Sequence, residues 1–277
     1  MSHFSKQSVK DREKWLYSFY KQHDPAKLQH VPQIAKQLDT QQIHSIVQNQ
    51  YGDRGIQGKN NLTIHQTAPA DVDKWPKIWK HCQKSWKSLA QDQDLEYKFW
   101  SDKDLDDFVE THYPEFFSCC YSKYKKRIQK VDSARYMILH HYGGIYADMD
   151  FENCDGNLLQ NLHKVKPSIV ESPYKHNEDY HNSLMVAPHP RDPFWMHTLD
   201  AMRDPVRMHS DSVLFSTGPQ MLDGAIHACR EVEGKPCVHK LPAKEYQPPG
   251  LQFQHVGLCQ RHADRKIKTI HHLTNAW

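Results

Sequence analysis

The sequence lacks a run of about 18 apolar residues, so no part of it is predicted to cross a membrane as a helix. Its first residues, MSHFSKQSVKDREKW, are charged and lack the apolar stretch of a signal peptide. We therefore expect a soluble, intracellular protein, with a Golgi-associated protein as the alternative. A net charge of +3 is too small to indicate a nucleic-acid partner.

Two metal- and redox-binding patterns are also missing: there is no CxxC pair and no HExxH motif. The seven cysteines are an odd number at irregular spacing, which predicts reduced thiols rather than a disulfide framework. Most of the 21 histidines are expected to be ordinary surface or half-buried residues, because none falls in a zinc-binding pattern.

The first part of the chain has apolar residues at helical spacing. Spacings of three and four recur among Leu28, Val31, Ile34 and Leu38. The turn-rich run GDRGIQG, at residues 52–58, is typical of a linker. We predict a small helical N-terminal region over residues 1–58, followed by the main domain over residues 59–277.

Strand and helix patterns alternate after this linker. Leu62–Thr67 and Leu95–Trp100 have the composition of short strands, and residues 74–90 form an amphipathic pattern with tryptophans on one side. A further helix is predicted beyond Ser101, whose hydroxyl suits an N-cap. This alternation predicts an α/β sheet.

The most informative stretch is IQKVDSARYMILHHYGGIYADMDFE, residues 128–152. Its first half has helical periodicity and places Asp132 and Arg135 three residues apart on one face. The glycine pair Gly143-Gly144 then ends the helix. The remainder alternates as a single strand. Its polar face consists of Tyr146, Asp148, Asp150 and Glu152.

Two carboxylates on the same face of a strand, about 6.6 Å apart along the chain, repel each other unless a cation joins them. Mg²⁺ and Mn²⁺ bind through one or two carboxylates together with substrate phosphates. Asp148 and Asp150 therefore predict a divalent-cation site that takes a nucleotide diphosphate. Asp-x-Asp or Asp-x-x-Arg alone is a weak signal, but their order within 25 residues is a strong one.

This ordered combination resembles the sugar-binding region of Och1-type glycosyltransferases with a DXD motif, a family 32-like group. Further segments resemble that family in order over residues 62–277: LTIHQTAPA, LEYKFWSDKDL, NSLMVAPHPRDPFW, STGPQML and IHHLTNAW. The resemblance implies a GT-A fold, with a mostly parallel central sheet flanked by helices. It also implies a retaining, Mn²⁺- or Mg²⁺-dependent hexosyltransferase, with a UDP- or GDP-sugar donor and a glycan, protein or other hydroxyl acceptor.

The same resemblance implies roles for individual residues. The catalytic set would be Asp132, Arg135, Asp148 and Asp150, with the first two on hydroxyls of the donor sugar. The metal would be held by Asp148, Asp150, His272 and Asn275. Contacts to the donor or its nucleotide would come from His65, Gln66, Tyr146, Asn182, Thr217, Gly218 and Trp277.

The final segment, His271 to Trp277, is predicted to form a lid over the diphosphate. A terminal segment ordinarily frays unless something ties it down, and the bound metal and diphosphate would supply those ties. The segment is therefore expected to be mobile without ligand and ordered with it.

Two other functions stay open at this point. A metal-dependent phosphatase or nuclease would use the same carboxylates, but the DxDx(T/V) phosphatase pattern has Thr or Val where this chain has Glu152. A catalytically degenerate, sugar-binding family member is the other alternative. The intact pairs Asp132–Arg135 and Asp148–Asp150 argue against it.

Overall fold

The computed structural model describes residues 8–23, 25–38, 43, 62–173, 178–249, 259 and 266–274. The chain divides into two compact units, residues 1–60 and 61–277. In the first unit, helices α1 (Val9–His23) and α2 (Val31–Gln37) are joined by a 3-10 helix at Pro25–His30. Their apolar cluster consists of Leu16, Tyr20, Val31, Ala35 and Ile43. The predicted helical character of this region is confirmed.

The second unit contains eight strands and nine α-helices among the residues described. The strands are β1 (Thr63–Thr67), β2 (Glu96–Trp100), β3 (Gly144–Ala147), β4 (Phe151–Asn153), β5 (Ser168–Glu171), β6 (Tyr180–Ala187), β7 (His239–Leu241) and β8 (Thr269–His271). The helices are α3 (Lys77–Asp92), α4 (Asp102–His112), α5 (Pro114–Cys119), α6 (Arg127–Tyr142), α7 (Pro193–Met202), α8 (Pro205–Met208), α9 (Val213–Ser216), α10 (Pro219–Glu233) and α11 (Ala243–Tyr246).

Six of the strands form one sheet in the order β2-β1-β3-β6-β5-β7. Strand β6 is antiparallel to both of its neighbours, and the other pairs are parallel. Five strands therefore run in one direction and one runs against them. Strands β4 and β8 form a separate antiparallel pair. The predicted α/β class, with a mostly parallel central sheet flanked by helices, is confirmed.

Apolar side chains alternate between the two faces of the central sheet, and each face is covered by helices. On β6, Met185 belongs to the core cluster that includes residues of α4 to α7 and α10. Its neighbour Leu184 belongs to the other cluster, with Trp86 and Leu89 of α3. This two-sided burial explains why consecutive residues of β6, from Leu184 to Ala187, are all apolar.

The glycine pair ends α6 and starts β3. Gly143 has φ +70° and its amide donates to the carbonyl of Leu139, which closes the helix. Gly144 has φ +93°, and a Cβ there would lie 2.1 Å from the carbonyl oxygen of Thr63. Only glycine fits between α6 and β1, so the turn that precedes the acidic segment is fixed by sequence.

The prediction of one strand through Glu152 is wrong. Strand β3 ends at Ala147, and the amide of Phe151 donates to the carbonyl of Asp148 in a turn, at 3.0 Å. The chain changes partner at this turn, because β3 pairs with β6 whereas β4 pairs with β8. Periodicity alone did not reveal the break, since apolar and polar residues alternate on both sides of it.

The prediction of reduced thiols is also wrong for four cysteines. Cys154 is bonded to Cys259, and Cys229 to Cys237. Disulfides are typical of proteins that fold in an oxidising compartment. Among the residues described, no helix is long and apolar enough to span a bilayer.

Candidate functional site: an acidic cluster at the end of strand β3

The acidic residues of the motif lie just beyond the carboxyl end of β3, in the middle of the central sheet. Ligands of open α/β sheets bind at this edge. Ligand atoms of Asp148, Asp150 and His271 all lie within 4.8 Å of one another, and all three residues are buried. Two carboxylates and an imidazole are suitable ligands for a divalent cation. The three residues could therefore hold a metal ion.

Asp150 is held from the C-terminal side of the chain. Its Oδ2 accepts hydrogen bonds from the amide and the hydroxyl of Thr274, at 2.9 and 3.0 Å. Its Oδ1 lies 3.4 Å from Nε2 of His271. Burial alone would raise the pKa of Asp150, but hydrogen bonds from His271 and Thr274 hold it well below its usual range. Asp150 is therefore an anion at neutral pH.

Asp148 has a different environment. Its Oδ1 accepts from the hydroxyl of Tyr146 at 2.9 Å and lies 3.2 Å from Nη1 of Arg135. Burial raises the pKa of Asp148 to about 6, because it outweighs the Arg135 charge, and the neighbouring charge of Asp150 adds to the rise. The two carboxylates thus differ in their affinity for a proton.

Arg135 links Asp148 to Asp132. Its Nη2 lies 2.9 Å from Oδ1 of Asp132, and the arginine side chain is 2% exposed. Nη1 also donates to the carbonyl of Asn182 at 2.9 Å. Nε of Arg135 is buried and has no hydrogen-bond partner among the residues that the structure describes. A buried donor without a partner is rare, so this nitrogen is a candidate for a hydrogen bond to a ligand.

Two other predicted residues complete the surroundings of Asp132. The side-chain amide of Asn182 donates to its Oδ1 at 3.1 Å, and Thr217 Oγ1 lies 3.4 Å from its Oδ2. Gly218 follows as the residue that caps α10. The structure thus brings four predicted residues together, and whether they contact a sugar stays a prediction: Asp132, Arg135, Asn182 and Thr217.

The residues predicted near the nucleotide base lie beneath the acidic cluster and contact protein. His65 is fully buried; Trp100 donates to its Nδ1, so its Nε2 carries the proton and donates to the carbonyl of Gly143. Burial lowers the pKa of His65 to about 3, so the ring is neutral. The amide of Gln66 donates to the carbonyl of Asp148, and the hydroxyl of Tyr146 is shared between Thr67 and Asp148. In this conformation these side chains support the acidic segment.

The assignment of His272 to the metal is not supported. Nε2 of His272 lies 2.9 Å from Oε2 of Glu152, whose Oε1 is bound by His81. The adjacent residue, His271, is the one that reaches Asp150. Neighbours along an extended chain point in opposite directions, and the pairing of β8 with β4 decides which of them faces the carboxylates. The other predicted C-terminal contacts, Asn275 and Trp277, lie outside the described residues.

Residues 271–274 of the predicted lid contact the rest of the domain through the β4–β8 pair and through the hydrogen bonds of Thr274 to Asp150. The indole of Trp79 also donates to Thr274 Oγ1, at 2.9 Å. This part of the chain therefore contributes contacts to the site, and its closure over a diphosphate stays a prediction.

Sequence reasoning missed two residues that touch the cluster, since His271 and Thr274 both contact Asp150. It also assigned no role to Glu152, which holds His272. Glu152 lies in the acidic segment and could have been found there. The sequence could not distinguish His271 from the adjacent His272 as the residue that reaches the carboxylates, and no motif indicated Thr274.

The region that contains this site matches a known family model. Residues 76–167 match the family model described as the glycosyltransferase sugar-binding region containing a DXD motif. That range includes Asp132, Arg135, Asp148 and Asp150, so the matched region contains the carboxylates and the buried ion pair.

Two fungal relatives illustrate the likeness. Mannosyl phosphorylinositol ceramide synthase SUR1 of Saccharomyces cerevisiae is 31% identical over 169 residues, which are 57% of this chain and 40% of that protein. Inositol phosphoceramide mannosyltransferase 1 of Schizosaccharomyces pombe is 28% identical over 218 residues, covering 71% of this chain and 65% of its own. The chain thus spans from two fifths to just under two thirds of the length of these relatives.

A solved structure described as PaToxG Glycosyltransferase superposes with a TM-score of 0.47 and 16% identity, covering 69% of this chain and 77% of its own. Residues 76–167 are thus similar to the glycosyltransferase sugar-binding region that contains a DXD motif, and the segment from Asp132 to Asp150 lies inside that match.

Proposed function

We propose that this chain is a metal-dependent glycosyltransferase that moves a hexose from a nucleotide-diphosphate sugar to a hydroxyl acceptor, with retention of anomeric configuration. The observation that supports it most is the convergence of Asp148, Asp150 and His271 within 4.8 Å, beside the buried Asp132–Arg135 pair. The cluster of Asp148, Asp150 and His271 suits a cation and a diphosphate. The Asp132–Arg135 pair offers hydrogen-bonding groups to a sugar.

Mn²⁺ is the cofactor that we favour, with Mg²⁺ as the alternative. Both take carboxylate oxygens, but Mg²⁺ prefers an all-oxygen shell, and the third ligand here is the imidazole of His271. When bound, the cation would neutralise charge on the departing diphosphate, which is Lewis-acid assistance worth several kcal/mol.

The protein's own residues would prepare the site. Asp150, kept anionic by His271 and Thr274, provides a permanent negative charge for the cation. Asp148 is oriented by Tyr146. Arg135 would present its unpaired Nε toward the donor, and Asp132 would accept from sugar hydroxyls.

The remaining contacts are proposed on the family resemblance. Asn182, Thr217 and Gly218 would shape the sugar side of the site, and His65 and Gln66 would act by supporting the segment that holds the nucleotide. Asn275 and Trp277 would approach the diphosphate from the C-terminal end. The whole catalytic domain would be residues 59–277.

Mannose is the first sugar to test, because the printed names of both fungal relatives describe mannosyl transfer. A GDP-sugar then becomes the leading donor, with UDP-sugars as the alternative. The same names suggest an inositol phosphate headgroup as one acceptor to compare with glycan and protein hydroxyls.

The test is a matrix of donors and acceptors with Mn²⁺ present. GDP-mannose and UDP-linked glucose, galactose and N-acetylglucosamine are each incubated with inositol-phosphate lipids, oligosaccharides and peptides. We expect one donor to yield a glycosylated product whose anomeric configuration, read by NMR, equals that of the donor. Inversion would contradict the retaining mechanism, and absence of product with every pair would contradict the proposal itself.

A further inference from the structure

We infer that Gln247 is a positioning residue for the metal site, because it fixes which ring nitrogen of His271 faces Asp150. The inference rests on the proposed function, since it concerns the cation that transfer would need. Gln247 directly follows α11 and lies outside the matched sugar-binding region. It belongs to no motif in the sequence.

The direction of one hydrogen bond carries the argument. Gln247 is buried, and its Oε1 lies 2.9 Å from Nδ1 of His271. An amide oxygen only accepts, so the hydrogen in this contact belongs to Nδ1. Nε2 is then the nitrogen that faces Asp150, with 3.4 Å between Nε2 and Oδ1. A cation that takes the place of the Nε2 hydrogen bond to Asp150 therefore meets a lone pair on Nε2, while Nδ1 keeps its hydrogen for Gln247.

A second chain of hydrogen bonds holds the amide in place. Ser183 Oγ lies 3.3 Å from the same Oε1 and donates to it. Because that hydroxyl uses its only hydrogen in this bond, it accepts a hydrogen bond from Nδ1 of His181, at 2.8 Å. In this orientation the amide oxygen accepts from Ser183 of β6 and from Nδ1 of His271 of β8.

Packing fixes the ring that Gln247 orients. The imidazole of His271 lies against the ring of Phe151, with 4.9 Å between centroids. Metal-binding histidines commonly donate their second N–H to an oxygen, and removal of that oxygen costs about 10- to 100-fold in metal affinity. Gln247 supplies such an oxygen to a ligand that a cation would share with Asp148 and Asp150.

The experiment measures Mn²⁺ affinity by calorimetry on metal-free protein. Gln247→Leu removes the acceptor at nearly constant volume, and we expect the dissociation constant to rise about 10- to 100-fold. Gln247→Glu keeps an acceptor and should bind within about threefold of wild type, or more tightly. Gln129→Leu is the matched control, because Gln129 is also buried and its amide bonds to Ser216, away from the acidic cluster. It should leave the affinity unchanged.

A second readout does not depend on the variants folding. In ¹⁵N-histidine spectra of the wild type, addition of diamagnetic Cd²⁺ should shift Nε2 of His271 while Nδ1 keeps its proton. Binding of Cd²⁺ through Nδ1 would overturn the inference, as would Gln247→Leu binding Mn²⁺ as tightly as wild type. A wild-type protein that binds no divalent cation would instead defeat the proposed function, and the positioning role with it.

Discussion

Replacing Arg135 by Met removes the buried cation that the acidic cluster depends on. Nη2 of Arg135 lies 2.9 Å from Asp132, Nη1 lies 3.2 Å from Asp148, and the side chain is 2% exposed. Met preserves much of the packing of the arginine stem but leaves both carboxylates without their positive partner. Loss of one member of a buried ion pair typically costs about 3–5 kcal/mol. We expect the free energy of unfolding to fall by about that amount at neutral pH.

Urea unfolding followed by circular dichroism measures this loss, and equal m-values would show that the variants unfold over the same surface. The double variant Asp132→Asn/Arg135→Met is the matched comparison. The double variant also removes the negative charge of Asp132, one of the two carboxylates that lose their positive partner. The side chain of Asn still offers an oxygen to Asn182 and Thr217. The double variant should therefore be more stable than Arg135→Met by about 1 kcal/mol or more. A single variant within about 1 kcal/mol of wild type would refute the electrostatic reasoning.

Three further predictions concern the scaffold. Protein that is unfolded without a reductant should show three reactive thiols, because the other four of the seven cysteines are in disulfides. Reduction of the Cys154–Cys259 bond should lower the free energy of unfolding by about 2–5 kcal/mol. Detection of seven thiols would show that neither disulfide forms. The pKa of His65 is lowered to about 3, so the unfolded state binds one more proton than the folded state between about pH 3 and 6.5. The stability that this histidine contributes is fully present above pH 6.5 and is lost as the pH falls. In His65→Gln, the free energy of unfolding should therefore decline less steeply from pH 6 to 4.5, by up to about 1.4 kcal/mol per pH unit. An unchanged slope would mean that the ring is not buried in its neutral form. Gly144→Ala should prevent folding, because the new Cβ would lie 2.1 Å from a backbone oxygen. Gly234 also has a positive φ, but a Cβ there meets nothing within 4 Å, so Gly234→Ala should cost only about 1 kcal/mol of stability. Equal effects of the two variants on thermal unfolding would contradict the close approach of α6 and β1.

Local patterns in the sequence predicted the centre of the site. Helix α6, the glycine pair and the two aspartates are consecutive, so periodicity and turn chemistry sufficed to place them in order. The α/β class of the domain also followed from the alternation of strands and helices. The order β2-β1-β3-β6-β5-β7, with its single reversed strand, required tertiary pairing that no local pattern encodes.

The errors share a physical cause: each involves a partner that is distant in sequence. His271 rather than His272 faces Asp150 because β8 pairs with β4, more than 100 residues earlier. Cys154 bonds to Cys259 at a sequence separation of 105. Gln247 carries no motif because its role arises only when β6 and β8 bring Ser183 and His271 to its amide.

The rate of sugar transfer as a function of free Mn²⁺ tests the central claim most directly. Protein stripped with EDTA should be inactive, and added Mn²⁺ should restore transfer along a saturable curve. In Asp150→Asn the amide oxygen can still accept from Thr274, so the fold should survive, yet the rate should stay at least about 100-fold below wild type at every Mn²⁺ concentration. Full turnover in excess EDTA, with the metal verified as removed, or a wild-type rate in Asp150→Asn, would contradict the assignment of this acidic cluster to a metal-dependent transfer.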